Sequence, residues 1–100
     1  MNTTSKLANA QINSKKNLED IYLLLKHKLA QATHSEVNTI NLALSISDYL
    51  ADSVKLVRFA ASICDELNID FEPALLIDFE NLHEIADKLY TMHIMGDNLS

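Results

Sequence analysis

The sequence predicts an all-α domain, an antiparallel bundle of three main helices with a long central one, and three observations carry that expectation. Apolar residues make up 48% of the 100-residue chain, whereas Gly and Pro occur once each, so long stretches run without a helix breaker. Apolar positions recur at three- and four-residue steps rather than alternating. The densest apolar run, Leu56, Val57, Phe59, Ala60, Ala61, Ile63 and Cys64, lies mid-chain within the segment Asp48 to Leu67. A helix apolar around most of its circumference has to be covered on several sides.

Taken in order, residues 1–16 are rich in Asn, Thr, Ser, Gln and Lys and read as a polar, basic tail or a frayed helix, which makes a fourth helix if it is ordered. The bundle domain is expected over residues 17–96. Its first helix, about 18–32, carries Leu18, Ile21, Tyr22, Leu25, Leu29 and Ala32 on one stripe, with Leu23 and Leu24 widening the apolar face. Thr33 with Glu36 has the spacing of a capping box, followed by Val37, Ile40 and Leu44 on one face. One long helix is therefore expected from about 34 to 67, with a weak point near Ser47, where Asp48 three residues after Ser45 allows a fresh helix start or a kink. Asn68, Ile69 and Asp70 end it. Asp70 as cap and Pro73 in the first turn open a last helix, about 71–95, with Leu75, Phe79, Leu82, Ala86 and Leu89 on its inner side. Gly96 marks its stop, and residues 97–100 form a loose tail.

Charge narrows the choice of partners. Lys6, Lys15 and Lys16, with no acid among them, give residues 1–16 a charge of +3, which leaves −9 for the remainder of a chain whose net charge is −6. An acidic body is unsuited to nucleic acid, which calls for Lys and Arg against phosphate, and it favours a basic protein partner. No stretch approaches the length of a membrane-spanning helix and no signal peptide is visible, so the expected compartment is the cytoplasm. Cys64, the lone cysteine, reads as a small buried hydrophobe.

A narrow polar line runs along the central segment. Asp48, Asp52, Lys55, Ser62 and Asp65 or Glu66 recur at helical spacing, with Arg58 at the edge. The carboxylates Asp48 and Asp52 either pair on the surface with Lys55 or form half of a Mg²⁺ site. Glu80 and His83 form a single Glu-x-x-His without the second copy that a di-iron bundle needs. No nucleophile with a paired base can be named, so no catalytic residue is assigned.

The segment ISDYLADSVKLV, with ELNIDFEPALL and FENLHEIADKL after it, resembles the second half of the MazG-type all-α nucleoside triphosphate pyrophosphohydrolases. The resemblance spans roughly residues 18–90. It implies that Glu19 and Asp20, in NLEDIYLLL, and Asp48 and Asp52 hold Mg²⁺ against a triphosphate. The third acid of the first motif falls at Leu23, an apolar residue, so the ligand set is incomplete.

Two functional readings follow. The favoured one is a non-catalytic interaction or regulatory protein of accessory, immunity or mobile-element type, without a cofactor. The alternative is a Mg²⁺-dependent MazG-like pyrophosphohydrolase or a degenerate relative. A central helix about 50 Å long at 1.5 Å per residue outreaches its neighbours, which predicts a symmetric homodimer. Leu23, Leu24, Leu56, Phe59 and Ile63 are its candidate interface.

Overall fold

The computed structural model describes residues 16–99, with side chains described through Met95. Of the tail expected over residues 1–16, residues 1–15 lie outside the described residues, as does the terminal residue Ser100. Every regular element among the described residues is helical: α1 (Leu18–Thr33), a 3₁₀ turn (Val37–Thr39), α2 (Ile46–Tyr49), α3 (Ser53–Leu67), a 3₁₀ segment (Pro73–Asp78) and α4 (Leu82–Leu99).

Helix α1 starts where its first stripe residue predicts. Asn17 Oδ1 accepts from the Asp20 N–H at 2.8 Å and the Asp20 carboxylate accepts from the Asn17 N–H at 3.1 Å, a reciprocal capping box. The helix ends later than the sequence suggests. His34 adopts the left-handed conformation with φ 57°, and the Ser35 N–H returns to the Ala30 carbonyl at 2.9 Å. Thr33, expected to cap a new helix, is instead the last residue of α1. Its Oγ1 donates to the Leu29 carbonyl at 2.8 Å. Glu36 precedes only the short 3₁₀ turn and makes no side-chain cap.

The long helix expected over 34–67 does not form, because this stretch contains two helix starts. Ser45 and Asp48 make a second reciprocal capping box, which opens the four-residue α2, and Asp52 Oδ1 accepts from the Val54 N–H at 2.7 Å to open α3. Between α1 and α3 the chain buries Ile40, Leu42, Ile46 and Leu50; on one continuous helix Ile40 would face away from the other three, which are spaced four apart. The Tyr49 hydroxyl accepts from the Asn41 N–H at 2.7 Å and holds this irregular stretch against α2.

Helix α3 ends at Leu67 as expected, with Asn68 left-handed at φ 57° and the Ile69 N–H bonded to the Cys64 carbonyl. The last expected helix is also divided. Pro73 lies in the first turn of the 3₁₀ segment, whose cap is Glu72 rather than Asp70 and makes no side-chain bond. The α-helix proper begins at Leu82, where Asn81 Oδ1 accepts from the Glu84 N–H at 3.0 Å. Gly96 lies within α4 and does not stop it.

The core joins Ile21, Leu25 and Leu29 of α1 to Ile63 and Leu67 of α3 and to Leu82, Ile85 and Leu89 of α4. The rings of Tyr22 and His83 meet edge to face at 5.4 Å, and Lys16 lies against His93, so α1 and α4 run antiparallel. Leu56, Phe59 and Ile63, expected to need a second subunit, are 6%, 4% and 0% exposed, covered by the chain's own helices. The surplus apolar surface that motivated a dimer is therefore absent at these three positions. Leu24 packs partly on the core, and of the five candidates only Leu23 stands exposed.

His93 ties three elements together. Its Nδ1 lies 2.9 Å from the Leu67 carbonyl, and its Nε2 accepts from the Lys16 N–H at 2.9 Å. A carbonyl only accepts, so the hydrogen is on Nδ1 and the ring is the neutral tautomer. Replacing His93 by Ala strands two backbone groups in a buried setting. The expected loss is about 2 kcal/mol of stability, measured by urea unfolding.

Candidate functional site

Helix α3 places most of the exposed chemistry. Its inner side is buried from Leu56 through Leu67, while Ser53, Val54, Val57 and Arg58 line a shallow groove of about 280 Å³ on the outer side. Val54 and Val57 are 57% and 51% exposed, an apolar pair beside an exposed serine hydroxyl. Ser53 is the first residue of this 15-residue helix, so the unpaired N–H groups and the positive end of the helix dipole lie at its side chain. Lys55 and Arg58 add two cations within the next two turns.

On the flank that faces α1, a second cleft of about 320 Å³ is lined by Lys28, His34, Lys55 and Arg58 over an apolar floor of Phe59 and Ala32. Lys28 also makes a long ion pair with Glu66, at 3.7 Å.

The four carboxylates expected to hold Mg²⁺ are placed at helix starts. Glu19 and Asp20 occupy the first turn of α1, with Asp20 engaged in the capping box. Asp48 accepts from both the Ser45 N–H and the Ser45 hydroxyl, and Asp52 caps α3. Among the described residues no group of three or more His, Cys, Asp or Glu side chains is placed to hold a metal ion. The spacing of Asp48 and Asp52 reflects two successive helix starts. As an N-cap, Asp52 should contribute about 1 kcal/mol, so Asp52→Ala is expected to lower the free energy of unfolding by that amount equally with and without Mg²⁺. A Mg²⁺-dependent difference in thermal unfolding would contradict the capping role. At the Glu80 and His83 pair, the Glu80 backbone N–H donates to the Glu84 carboxylate and the His83 ring packs on Tyr22 of α1.

The phosphopantetheine attachment site family model matches residues 24–89, from the middle of α1 to the middle of α4. The chain belongs to that family.

Members of this family are carrier domains with a covalently attached phosphopantetheine group. This corrects the resemblance to the MazG-type pyrophosphohydrolases, whose short acidic motifs coincide here with helix caps. It also replaces both functional readings drawn from the sequence, the cofactor-free regulator and the Mg²⁺ hydrolase. No curated protein and no solved structure matches the chain.

The group needs a hydroxyl for a phosphodiester and room for an extended arm; Ser53 is exposed and lines the groove with Val54, Val57 and Arg58. Other hydroxyls in the matched segment fit less well. Ser35 bonds to Thr33, Ser45 is held in the α2 capping box, and Ser62 is half-buried within α3. Ser47 is exposed but lies within the four-residue α2 rather than at the start of a long helix. The sequence did contain a signal for Ser53. Once Asp52 is taken as an N-cap rather than a metal ligand, the serine after it falls at the first position of an amphipathic helix.

Proposed function

We propose that this chain is a carrier domain whose Ser53 Oγ holds phosphopantetheine as a phosphodiester and presents an attached acyl group to partner enzymes. Family membership supports the class of function, and the exposed hydroxyl at the start of α3 carries the assignment of the residue. Arm transfer from a diphosphate-linked donor forms the Oγ–P bond and breaks the donor's P–O–P linkage. The hydroxyl proton passes to a base of the transferring enzyme.

The residues around Ser53 suit that product. A phosphodiester carries one negative charge, which the N-terminal turn of α3 and the cations Lys55 and Arg58 stabilise. The Asp52 carboxylate, the nearest anion in sequence, is turned back to the Val54 N–H. Once attached, the group supplies a flexible arm ending in a thiol that carries the acyl cargo as a thioester. Beyond the helix start, Val54 and Val57 with Arg58 form a surface against which an enzyme acting on the arm can bury apolar area.

Among the described residues no helix is long and apolar enough to cross a membrane. A lone free cysteine, Cys64, accords with a reducing compartment, and on that ground we assign the protein to the cytoplasm.

The test is to incubate the purified protein with a phosphopantetheinyl transferase and coenzyme A, then measure the intact mass. The expected result is a gain of one arm, mapped by fragmentation to the peptide that contains Ser53. No gain, or a gain on another residue, would contradict the proposal.

A further inference from the structure

The cleft between α1 and α3 has a charge at odds with the rest of the molecule. Beyond residue 16 the chain holds only five Lys and Arg residues against all 14 of its Asp and Glu residues. Three of those five, Lys28, Lys55 and Arg58, line this one cleft together with His34. No Asp or Glu among the described residues lines it. Its floor is apolar, with Phe59 4% exposed beneath the cations and Ala32 beside it. At about 320 Å³ the space is the size of a small ligand. An anionic head on a short apolar body complements such a surface, whereas a plain alkyl chain would desolvate the cations without pairing them.

The cleft lies within reach of an arm at Ser53. Lys55 and Arg58 are two and five residues further along the same helix, about 3 and 8 Å at 1.5 Å per residue. A thioester-linked cargo has already used one carboxyl group in its bond to the arm, so an anionic cargo of this class carries a second one.

We propose that the cleft between α1 and α3 binds the free carboxylate of a short dicarboxylic acyl cargo, with Arg58 and Lys55 as its main ion-pair partners and Phe59 beneath its methylene chain. This rests on attachment of the arm at Ser53. Lys28 is shared with Glu66 at 3.7 Å, and a bound carboxylate competes with Glu66 for it.

The experiment loads the full chain with glutaryl- or pentanoyl-phosphopantetheine, two cargoes of equal length that differ in the terminal carboxylate. The rate of thioester loss to excess external thiol is then measured for each. Each rate is divided by that of the same thioester on free pantetheine, which removes the intrinsic reactivity of the glutaryl group. The glutaryl cargo should be protected about fivefold more than the pentanoyl cargo, the size expected of two partly exposed ion pairs. The advantage should shrink with added salt and disappear in the Lys55→Ala, Arg58→Ala double variant, while Lys88→Ala on α4 retains it.

Equal protection of the two cargoes, or a glutaryl advantage that persists in both high salt and the double variant, overturns the cleft and leaves attachment at Ser53 standing. Absence of a mass gain when the arm is transferred overturns both. The salt series on the unaltered chain decides the matter should the double variant fold poorly.

Discussion

Replacing Ser53 with alanine is expected to abolish arm transfer completely, whereas Ser47→Ala should leave it intact. The effect is all or none because the oxygen that bonds to phosphorus is deleted, and no neighbouring hydroxyl combines exposure with the start of a long helix. Ser53→Ala should fold normally. The residue is exposed, and the capping bond of α3 comes from Asp52 through the Val54 N–H. Surface substitutions of this kind stay within about 0.5 kcal/mol, so unchanged unfolding serves as the internal control. The measurement is intact mass after transferase treatment, with both variants and the parent run together. Full loading of Ser53→Ala would move the site elsewhere, and loss of loading in Ser47→Ala alone would move it to α2.

Truncation of Ile63 to alanine should give the largest loss of stability, about 3 kcal/mol out of the roughly 5–15 kcal/mol typical of a domain. Ile63 is fully enclosed, on the side of α3 that packs into the shared core with α1 and α4. Its removal deletes buried methylene groups and leaves a cavity that packed helices close only in part. By contrast Leu23→Ala, at a residue 48% exposed, should change stability by no more than about 0.5 kcal/mol. Because the chain itself covers Ile63, the urea midpoints of the parent and of Ile63→Ala should not shift as protein concentration is varied. A midpoint that rises with concentration would show that a second copy contributes to stability.

The helical periodicity of the chain was legible where local chemistry acts alone. The stripe Leu18, Ile21, Leu25 and Leu29 appears as α1, and Asn68 ends α3, because caps and apolar spacing operate within a few residues. The stretch between them was misread. Thr33 and Glu36 have capping-box spacing, yet the left-handed His34 and its return bonds to α1 use that segment to stop a helix. Asp48 and Asp52 show the same ambiguity. Four residues apart, two carboxylates can share one face of a helix or start two helices, and only the backbone distinguishes these cases.

The candidate site was lost for this reason. With α3 assumed to continue backward through Asp52, Ser53 falls in mid-helix, where a serine has no special electrostatic setting. With α3 starting at Ser53, the same hydroxyl stands at an exposed helix terminus. The tertiary fold sets that start. The carbonyls of Leu42 and Leu44 accept from the first N–H groups of α4, those of His83 and Leu82, at 3.1 and 2.9 Å. Ile40, Leu42, Ile46 and Leu50 then fill part of the shared core.

From composition and spacing alone, the chain was bound to be helical and acidic in its body, because these follow from residue types and neighbours close in sequence. Which apolar faces cover one another, where the third helix begins and which cations gather beside it depended on contacts between residues far apart in the chain. Those contacts enclosed Leu56, Phe59 and Ile63 within a single copy and left Ser53 on the outside.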